Sequence, residues 1–311
     1  MRAEPFEFEA EDGRKLFVHR WLPGEAVPLR GVLHVAHGMA EHAGRYARVA
    51  EALTAVGWVV YANDHRGHGK TARWSSELGY LDGGLRRCVR DIEQLIDLEK
   101  QERPGLPVVL FGHSMGSTLV QTYLIDRGGT LDAAVLSATS GKPGGLATAG
   151  RAIARLERRR LGERSRSELL TEMTFGGFNR AFRPNRTAYD WLSRDEAEVD
   201  RYIADPLCGF SCTTSLWVDL LDTLAENARP ELQARVPKDL PIYLFAGTRD
   251  RVGGDTKSVK QLLGAYRAAG LRRVTPRFYE GGRHEMLNET NREEVVRELI
   301  AWLDAEVPRR G

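Results

Sequence analysis

Residues 108–119 read Val-Val-Leu-Phe-Gly-His-Ser-Met-Gly-Ser-Thr-Leu. The apolar run that follows Pro107 leads into the pattern Gly-x-Ser-x-Gly, and a periodic segment continues to Tyr123. This order predicts a strand, a sharp turn and a helix, with the Ser114 hydroxyl lifted from a strained turn into a cleft. Gly112 and Gly116 would be needed because a Cβ at either position would collide with the neighbouring strand and helix. The alternative is a Gly-rich turn that carries an ordinary serine.

The composition indicates a folded protein of the ordinary globular kind. The chain has 311 residues, of which 42% are apolar, and a formal net charge of +2. This near balance argues against a general nucleic-acid binder. Three cysteines without C-x-x-C spacing suggest neither a disulfide framework nor a zinc site. No apolar leader or stretch of membrane-spanning length is present, so we expect a cytoplasmic protein.

The residues around this segment alternate between strand and helix patterns. Two alternating segments, Phe6 to Glu9 and Lys15 to Trp21, predict an antiparallel hairpin. Near-continuous apolar runs then predict buried parallel strands, separated by helical stretches. These runs are Gly31 to Ala36, Trp58 to Ala62, the strand before Ser114, Asp132 to Ser137, Pro241 to Ala246 and Val274 to Tyr279. The pattern predicts an α/β fold with a mostly parallel sheet flanked by helices.

This alternation is interrupted after the sixth predicted strand. Residues 139–215 lack it, and Gly141 to Asp190 contains eleven Lys and Arg against five Asp and Glu. We interpret residues 139–215 as a mainly helical cap inserted into a core of residues 1–138 and 216–311. The run Arg158 to Arg160 could attract an anionic lipid surface, although a solvated helix face is the simpler reading.

A serine hydroxyl needs a base, and the base needs a carboxylate that orients it. Asp250 follows one predicted buried strand and His284 follows the next. The order Ser114, Asp250, His284 is that of the α/β-hydrolase triad, and all three lie at carboxyl ends of strands. The alternatives for Asp250 are a helix cap or a solvated loop acid, and Asp255 is a competing candidate for the acid. The alternative for His284 is a surface loop histidine. Other histidines precede the acid or adjoin the nucleophile.

Main-chain N–H groups would stabilise the oxyanion that develops during ester hydrolysis. Met115, directly after the nucleophile, supplies one at the start of the helix. The loop His37-Gly38-Met39, after the strand Gly31 to Ala36, supplies the second, from Met39. A simple turn at the end of the strand is the alternative.

Several separate motifs resemble the monoacylglycerol lipase and lysophospholipase group of α/β-hydrolases, from about Phe6 to Trp302. They are His37-Gly38-Met39-Ala40-Glu41-His42, Gly44-Arg45-Tyr46, Asp64-His65-Arg66-Gly67-His68-Gly69, Gly112 to Gly116, Asp205-Pro206-Leu207 and Gly281 to Glu285. The resemblance implies a serine esterase acting on glycerol monoesters of fatty acids. It implies the catalytic triad Ser114, Asp250 and His284, the oxyanion donors Met39 and Met115, and a polar glycerol pocket of Glu41, Arg45 and His113.

We therefore expect an ester hydrolase that works through an acyl-enzyme, without cofactor or metal. Phe175, Phe178, Tyr189 and Trp191 could line an acyl tunnel, with core packing the equal alternative for each. The partners expected are a lipid ester substrate and, through the cap, a transient membrane surface, but no nucleic acid. Three alternatives stay open: a lysophospholipase, an amidase on the same triad, and a small-molecule receptor without useful turnover.

Overall fold

Nine strands form one sheet within residues 1–308, the part of the chain that this computed structural model describes, the side chains of residues 146 and 147 excepted. The strands are β1 Arg2–Ala3, β2 Phe6–Glu9, β3 Lys15–Leu22, β4 Gly31–Ala36, β5 Trp58–Asn63, β6 Val108–His113, β7 Ala133–Ser137, β8 Ile242–Gly247 and β9 Val274–Tyr279. Their order is β1-β3-β5-β4-β6-β7-β8-β9, with β2 on β3. In this order, the strands from β5 through β9 are parallel to one another. Strand β3 pairs antiparallel with β1, β2 and β5.

Helices cover both faces of this sheet. They are α1 Ala47–Ala55, α2 Gly84–Glu102, α3 Met115–Arg127, α4 Gly145–Leu161, α5 Glu168–Thr171, α6 Gly177–Asn179, α7 Glu196–Ala204, α8 Thr214–Asn227, α9 Pro230–Gln233, α10 Lys257–Ala268 and α11 Arg292–Glu306. A π-helical turn, Glu172–Gly176, links α5 to α6.

The side chains of β6 show how one strand supplies two cores. Val109 and Phe111 pack with α1 and α11 in one hydrophobic cluster, whereas Val108 and Leu110 pack with α2, α3, α8 and α10 in the other. Alternate residues of a strand point to opposite faces, so a strand between two helical layers is apolar throughout. Every residue of β4 to β8 is buried for this reason. The predicted α/β class is confirmed.

The predicted strands are all present, and the structure adds the two-residue strand β1. The segment interpreted as a cap therefore follows the seventh strand, β7, rather than the sixth. Between β7 and β8 the described residues contain helices and turns but no strand of the sheet. Helix α8 begins at Thr214, one residue before residue 215, the predicted end of the cap, and packs on α3. The boundaries of the cap stay a prediction.

Candidate active site

Ser114 occupies a sharp turn between β6 and α3. Its φ is 52° and its ψ is −116°, a conformation that costs strain for a residue with a Cβ. A Cβ on Gly112 would lie 2.5 Å from the Gly116 carbonyl oxygen, and one on Gly116 would lie 2.0 Å from the Ala36 carbonyl oxygen. Both positions therefore exclude larger residues, as the sequence predicted.

His284 lies between Ser114 and Asp250. Its Nε2 is 3.0 Å from the Ser114 Oγ, and its Nδ1 is 3.0 Å from an Asp250 carboxylate oxygen. Asp250 follows β8 and His284 follows β9, and both side chains are buried. The two loops are joined because the Arg249 N–H donates to the Gly282 carbonyl at 2.8 Å. The structure thus brings the three predicted residues into one hydrogen-bonded chain.

The groups around His284 favour its protonated form. Burial alone would lower its pKa, but the Asp250 carboxylate, with help from the charges of Glu285 and Glu41, raises the pKa above its ordinary value. His113 behaves differently although its ring centroid is only 4.9 Å from that of His284. Burial, reinforced by the charge of His284, lowers the pKa of His113 to about 4. His113 is therefore neutral at pH 7, and its Nδ1 lies 3.2 Å from the Ser137 Oγ.

The two predicted oxyanion donors lie on either side of the nucleophile. Met115 begins α3, so its N–H is among the N–H groups at a helix start that have no partner within the helix. Met39 belongs to the loop after β4, and a Cβ on the preceding Gly38 would be 3.5 Å from the Ser114 Cβ. That loop therefore packs directly against Ser114. The role of Met39 and Met115 as donors stays a prediction.

Two of the residues predicted to bind glycerol, Glu41 and Arg45, form a buried ion cluster with Glu285. The Arg45 guanidinium donates to Glu41 at 2.6 Å and to both carboxylate oxygens of Glu285 at 2.7 Å. Its charge outweighs the effect of burial and lowers the pKa of both carboxyl groups. A cavity of about 10 Å³ is lined by Glu41, Arg45, His113 and Glu285 with their neighbours, which is room for about one water molecule. A glycerol group would require these side chains to move apart.

The segment predicted as a cap contacts the loop that carries His284. The Trp191 ring lies 5.2 Å from the His284 ring, and the Glu285 N–H donates to the Leu192 carbonyl at 2.8 Å. Phe175 and Phe178 pack on Trp191 with centroids 5.6 and 5.5 Å away. These three aromatic side chains of the predicted acyl tunnel therefore form one group beside the base.

The fourth predicted tunnel residue, Tyr189, packs elsewhere. Its ring lies 5.1 Å from Tyr202, and its hydroxyl donates to the Gly209 carbonyl at 2.9 Å.

One cluster of possible metal ligands lies near the loop that contains Met39. His42, Asp205 and Cys208 place one ligand atom each within 4.8 Å of one another. His42 Nδ1 accepts the Gly44 N–H, so the proton lies on Nε2, which donates to Asp205 at 2.9 Å. A metal would have to displace that proton, so we interpret the contact as a hydrogen-bonded pair.

Asp64, in the histidine-rich loop that follows β5, accepts the N–H groups of Ala43 and Lys70 at 2.8 and 2.7 Å. The Asp64 carboxylate therefore ties this loop to the neighbouring main chain.

Sequence reasoning missed two neighbours of the site. Glu285 directly follows His284 and carries a charge that reaches both Arg45 and the base. Its position after the histidine was visible, but its pairing across 240 residues was not. Trp191 was predicted only to line the tunnel, whereas it contacts the base itself. Among the described helices, none has both the length and the hydropathy needed to cross a membrane.

Comparison with known proteins agrees with this geometry. The family model described as "Serine aminopeptidase, S33" matches residues 27–291. Monoglyceride lipase of Mus musculus is 29% identical over 309 residues, covering 96% of this chain and 90% of the relative. Monoacylglycerol lipase of Mycolicibacterium smegmatis is 28% identical over 300 residues, covering 95% of both chains. A crystal structure of a thermostable carboxyl esterase from Bacillus coagulans, in complex with glycerol, superimposes with a TM-score of 0.90 at 27% identity, covering 99% of this chain and 100% of that one.

Proposed function

Since the chain belongs to the serine aminopeptidase S33 family, in the monoacylglycerol lipase-like group of α/β-hydrolases, we propose that this serine ester hydrolase cleaves monoacylglycerols into fatty acid and glycerol. The observation that carries the proposal is the chain of two 3.0 Å contacts from Ser114 through His284 to Asp250. In this proposal Ser114 is the nucleophile, His284 the base and Asp250 the orienting acid.

The first half-reaction transfers the acyl group to the enzyme. Ser114 Oγ attacks the ester carbonyl while His284 Nε2 takes the hydroxyl proton, and the N–H groups of Met39 and Met115 bind the oxyanion. The tetrahedral intermediate then collapses. The bond to the glycerol oxygen breaks, and that oxygen takes the proton from His284, which leaves an acyl ester on Ser114.

The second half-reaction returns the enzyme to its starting state. A water molecule attacks the acyl ester and gives its proton to His284. The intermediate collapses by breaking the bond to Ser114 Oγ, which recovers the proton, and the fatty acid leaves. Every proton transfer uses the same nitrogen, His284 Nε2, so the protons balance over the two half-reactions without a cofactor.

Two contrasting surroundings of the triad support a substrate with one apolar and one polar part. Phe175, Phe178 and Trp191 form an aromatic group beside His284, suited to an acyl chain. The polar cluster of Glu41, Arg45 and His113 offers donors and acceptors for neutral hydroxyl groups, and we propose it as the glycerol site.

Two assays test the proposal. A fluorophosphonate probe should label the wild-type protein stoichiometrically and should not label Ser114→Ala. Steady-state rates on a monoacylglycerol, lysophosphatidylcholine and an aminoacyl-nitroanilide should favour the monoacylglycerol. Faster cleavage of the lysophospholipid or the amide would replace the proposed substrate, and an unlabelled wild-type protein would exclude the serine hydrolase mechanism.

We also propose that residues 139–215 form a cap that meets lipid surfaces. Leu156, Leu169 and Met173 on and beside α4 and α5 are 63%, 50% and 44% exposed. Arg158 and Arg159 lie on the same helix as Leu156. Exposed apolar side chains beside basic groups suit a surface that contains anionic lipid.

Vesicle sedimentation tests the cap proposal. Binding to phosphatidylcholine vesicles should increase when phosphatidylserine is added, and the triple change of Leu156, Leu169 and Met173 to Ser should reduce it at least severalfold. Leu29→Ser is the control, because Leu29 is 46% exposed and lies before the amino end of β4, whereas residues 139–215 follow the carboxyl end of β7. Equal binding by the triple variant and the control would refute the proposal.

A further inference from the structure

His37 is fully buried at the start of the loop His37-Gly38-Met39, the proposed oxyanion loop, and its hydrogen-bond partners fix its protonation state. Its Nε2 receives the N–H of His65 at 3.0 Å, so this nitrogen is an acceptor and carries no proton. The proton therefore lies on Nδ1, which donates to the Gly38 carbonyl oxygen at 2.7 Å. Burial, together with the charge of His68, lowers the pKa of His37 well below its ordinary value, so the ring stays neutral.

The Gly38 carbonyl belongs to the same planar peptide unit as the Met39 N–H. In a trans peptide these two groups point in opposite directions, so whatever holds the carbonyl also aims the N–H. Reversing this peptide unit would change ψ of Gly38 and φ of Met39, and a glycine at position 38 removes the steric restriction on the first of these angles. A reversed unit would turn a carbonyl oxygen, instead of an N–H, toward the oxyanion.

The neighbouring peptide units are fixed by other groups. The Gly38 N–H donates to Glu41 at 2.6 Å, and the Ala40 N–H donates to His68 Nε2 at 3.3 Å. The Ala40 carbonyl accepts from the Tyr202 hydroxyl at 2.8 Å. Within the part of the chain that the structure describes, the contact from His37 is the hydrogen bond that secures the unit between Gly38 and Met39.

We infer that His37 is a positioning residue for the oxyanion site: its Nδ1–H holds the Gly38 carbonyl and thereby keeps the Met39 N–H directed at the reacting carbonyl. This role rests on the proposed function, since it concerns the oxyanion of the same hydrolysis. The two ring nitrogens of His37 then have different roles. Nδ1 serves catalysis, and Nε2 serves the packing of the loop that carries His65.

Two substitutions separate these tasks because each retains one of them. The amide nitrogen of His37→Asn occupies the place of Nδ1 and can still donate to Gly38, but nothing replaces Nε2. The amide oxygen of His37→Gln reaches the place of Nε2 and can still accept from His65, but the donor to Gly38 is lost. Each variant loses one buried hydrogen bond, so their losses of stability should be similar.

Activity should distinguish them. Loss of one oxyanion donor typically lowers kcat by about 10²- to 10³-fold. Since Met39 remains present but is no longer held, we expect His37→Gln to lower kcat by about 10- to 100-fold at nearly constant KM. His37→Asn should remain within about 5-fold of the wild type. The affinity for an alkyl trifluoromethyl ketone, which adds to the serine as a tetrahedral oxyanion, should fall with kcat only in His37→Gln.

Equal losses of kcat in the two variants, or a rise in KM alone, would overturn the inference. A measurement on the wild type covers the case in which a variant does not fold. Nitrogen-15 NMR of labelled histidine should show His37 protonated on Nδ1, and protonation on Nε2 would equally overturn the inference. If Ser114→Ala retained the activity, the proposed function itself would fail, an outcome distinct from either result at His37.

Discussion

Arg45 is expected to contribute strongly to stability at neutral pH. Its side chain is 12% exposed and lies between the carboxylates of Glu41 and Glu285, which are 5% and 7% exposed. Replacing it by Met in Arg45→Met retains much of the volume and removes the charge. Two carboxylates would then face each other in a buried site without a cation, next to the base His284.

The magnitude follows from the cost of neutralising a carboxylate. Removing one partner of a buried ion pair typically costs about 3–5 kcal/mol. The variant can limit this loss by protonating Glu41 or Glu285. At pH 7 that costs about 3.4 kcal/mol for a group of ordinary pKa near 4.5, and at pH 5 it costs only about 0.7 kcal/mol. We therefore expect a loss of about 3–5 kcal/mol at pH 7 and of roughly 1–2 kcal/mol at pH 5.

The stability of the wild type and that of Arg45→Met should change with pH in opposite directions. In the wild type the pKa values of Glu41 and Glu285 are lowered, so their contribution is present above the unfolded pKa and is lost as pH falls below it. In Arg45→Met at least one of these pKa values should be raised, so stability should be lost as pH rises toward neutrality. Chemical denaturation between pH 5 and pH 7 measures both slopes.

Arg86 provides the matched control for this substitution. It also joins two carboxylates, those of Asp126 and Glu226, at 2.7 and 2.8 Å, but its side chain is 48% exposed. Arg86→Met should therefore cost no more than about 1 kcal/mol at either pH. Our reasoning would be refuted if both variants lost similar stability at pH 7, or if the loss in Arg45→Met did not shrink toward pH 5.

Three further results are expected. Glu285→Gln should shift the acid limb of the kcat/KM profile to lower pH, because the Glu285 charge helps to raise the pKa of His284; an unmoved limb would contradict this. Asp250→Asn should lower kcat on a short-chain ester by on the order of 10⁴-fold with its fold retained, since the correct tautomer of His284 is lost; circular dichroism is the check on folding, and a small change in kcat would argue against the assigned acid. Gly116→Ala should destabilise the protein by at least about 1–3 kcal/mol in thermal denaturation, because its Cβ would lie 2.0 Å from a carbonyl oxygen. Gly264→Ala, inside α10 with nothing within 4 Å of the new Cβ, should instead stabilise it by up to about 1 kcal/mol, and a similar response at both glycines would contradict the packing argument.

The sequence was sufficient for the parts of this structure that depend on local pattern. Continuous apolar runs located β4 to β8 because both faces of those strands are covered. The order of Ser114, Asp250 and His284 was informative because carboxyl ends of parallel strands share one edge of a sheet. The structure accordingly brings these three side chains within hydrogen-bonding distance.

Contacts between distant segments could not be predicted in the same way. The bond from Tyr202 to Ala40 spans 162 residues and depends on how α7 docks, for which no local pattern exists. The start of α7 did have a local signal, since Asp195 accepts N–H groups of the first turn and Glu198 follows three residues later. Local chemistry therefore indicates where the helix begins, but not which loop it supports.

In the proposed mechanism, the charges near His284 explain why rigid main-chain donors matter. The carboxylates that act on it most strongly are those of Asp250, Glu285 and Glu41, and Arg45 compensates for only part of their charge. This negative surrounding stabilises the imidazolium that forms during attack, but it opposes the oxyanion that forms at the same moment on the substrate. Donors already held in place lose no free energy to reorientation when that charge appears. We therefore expect that the same carboxylates that raise the pKa of His284 increase the importance of how firmly the proposed oxyanion loop is held.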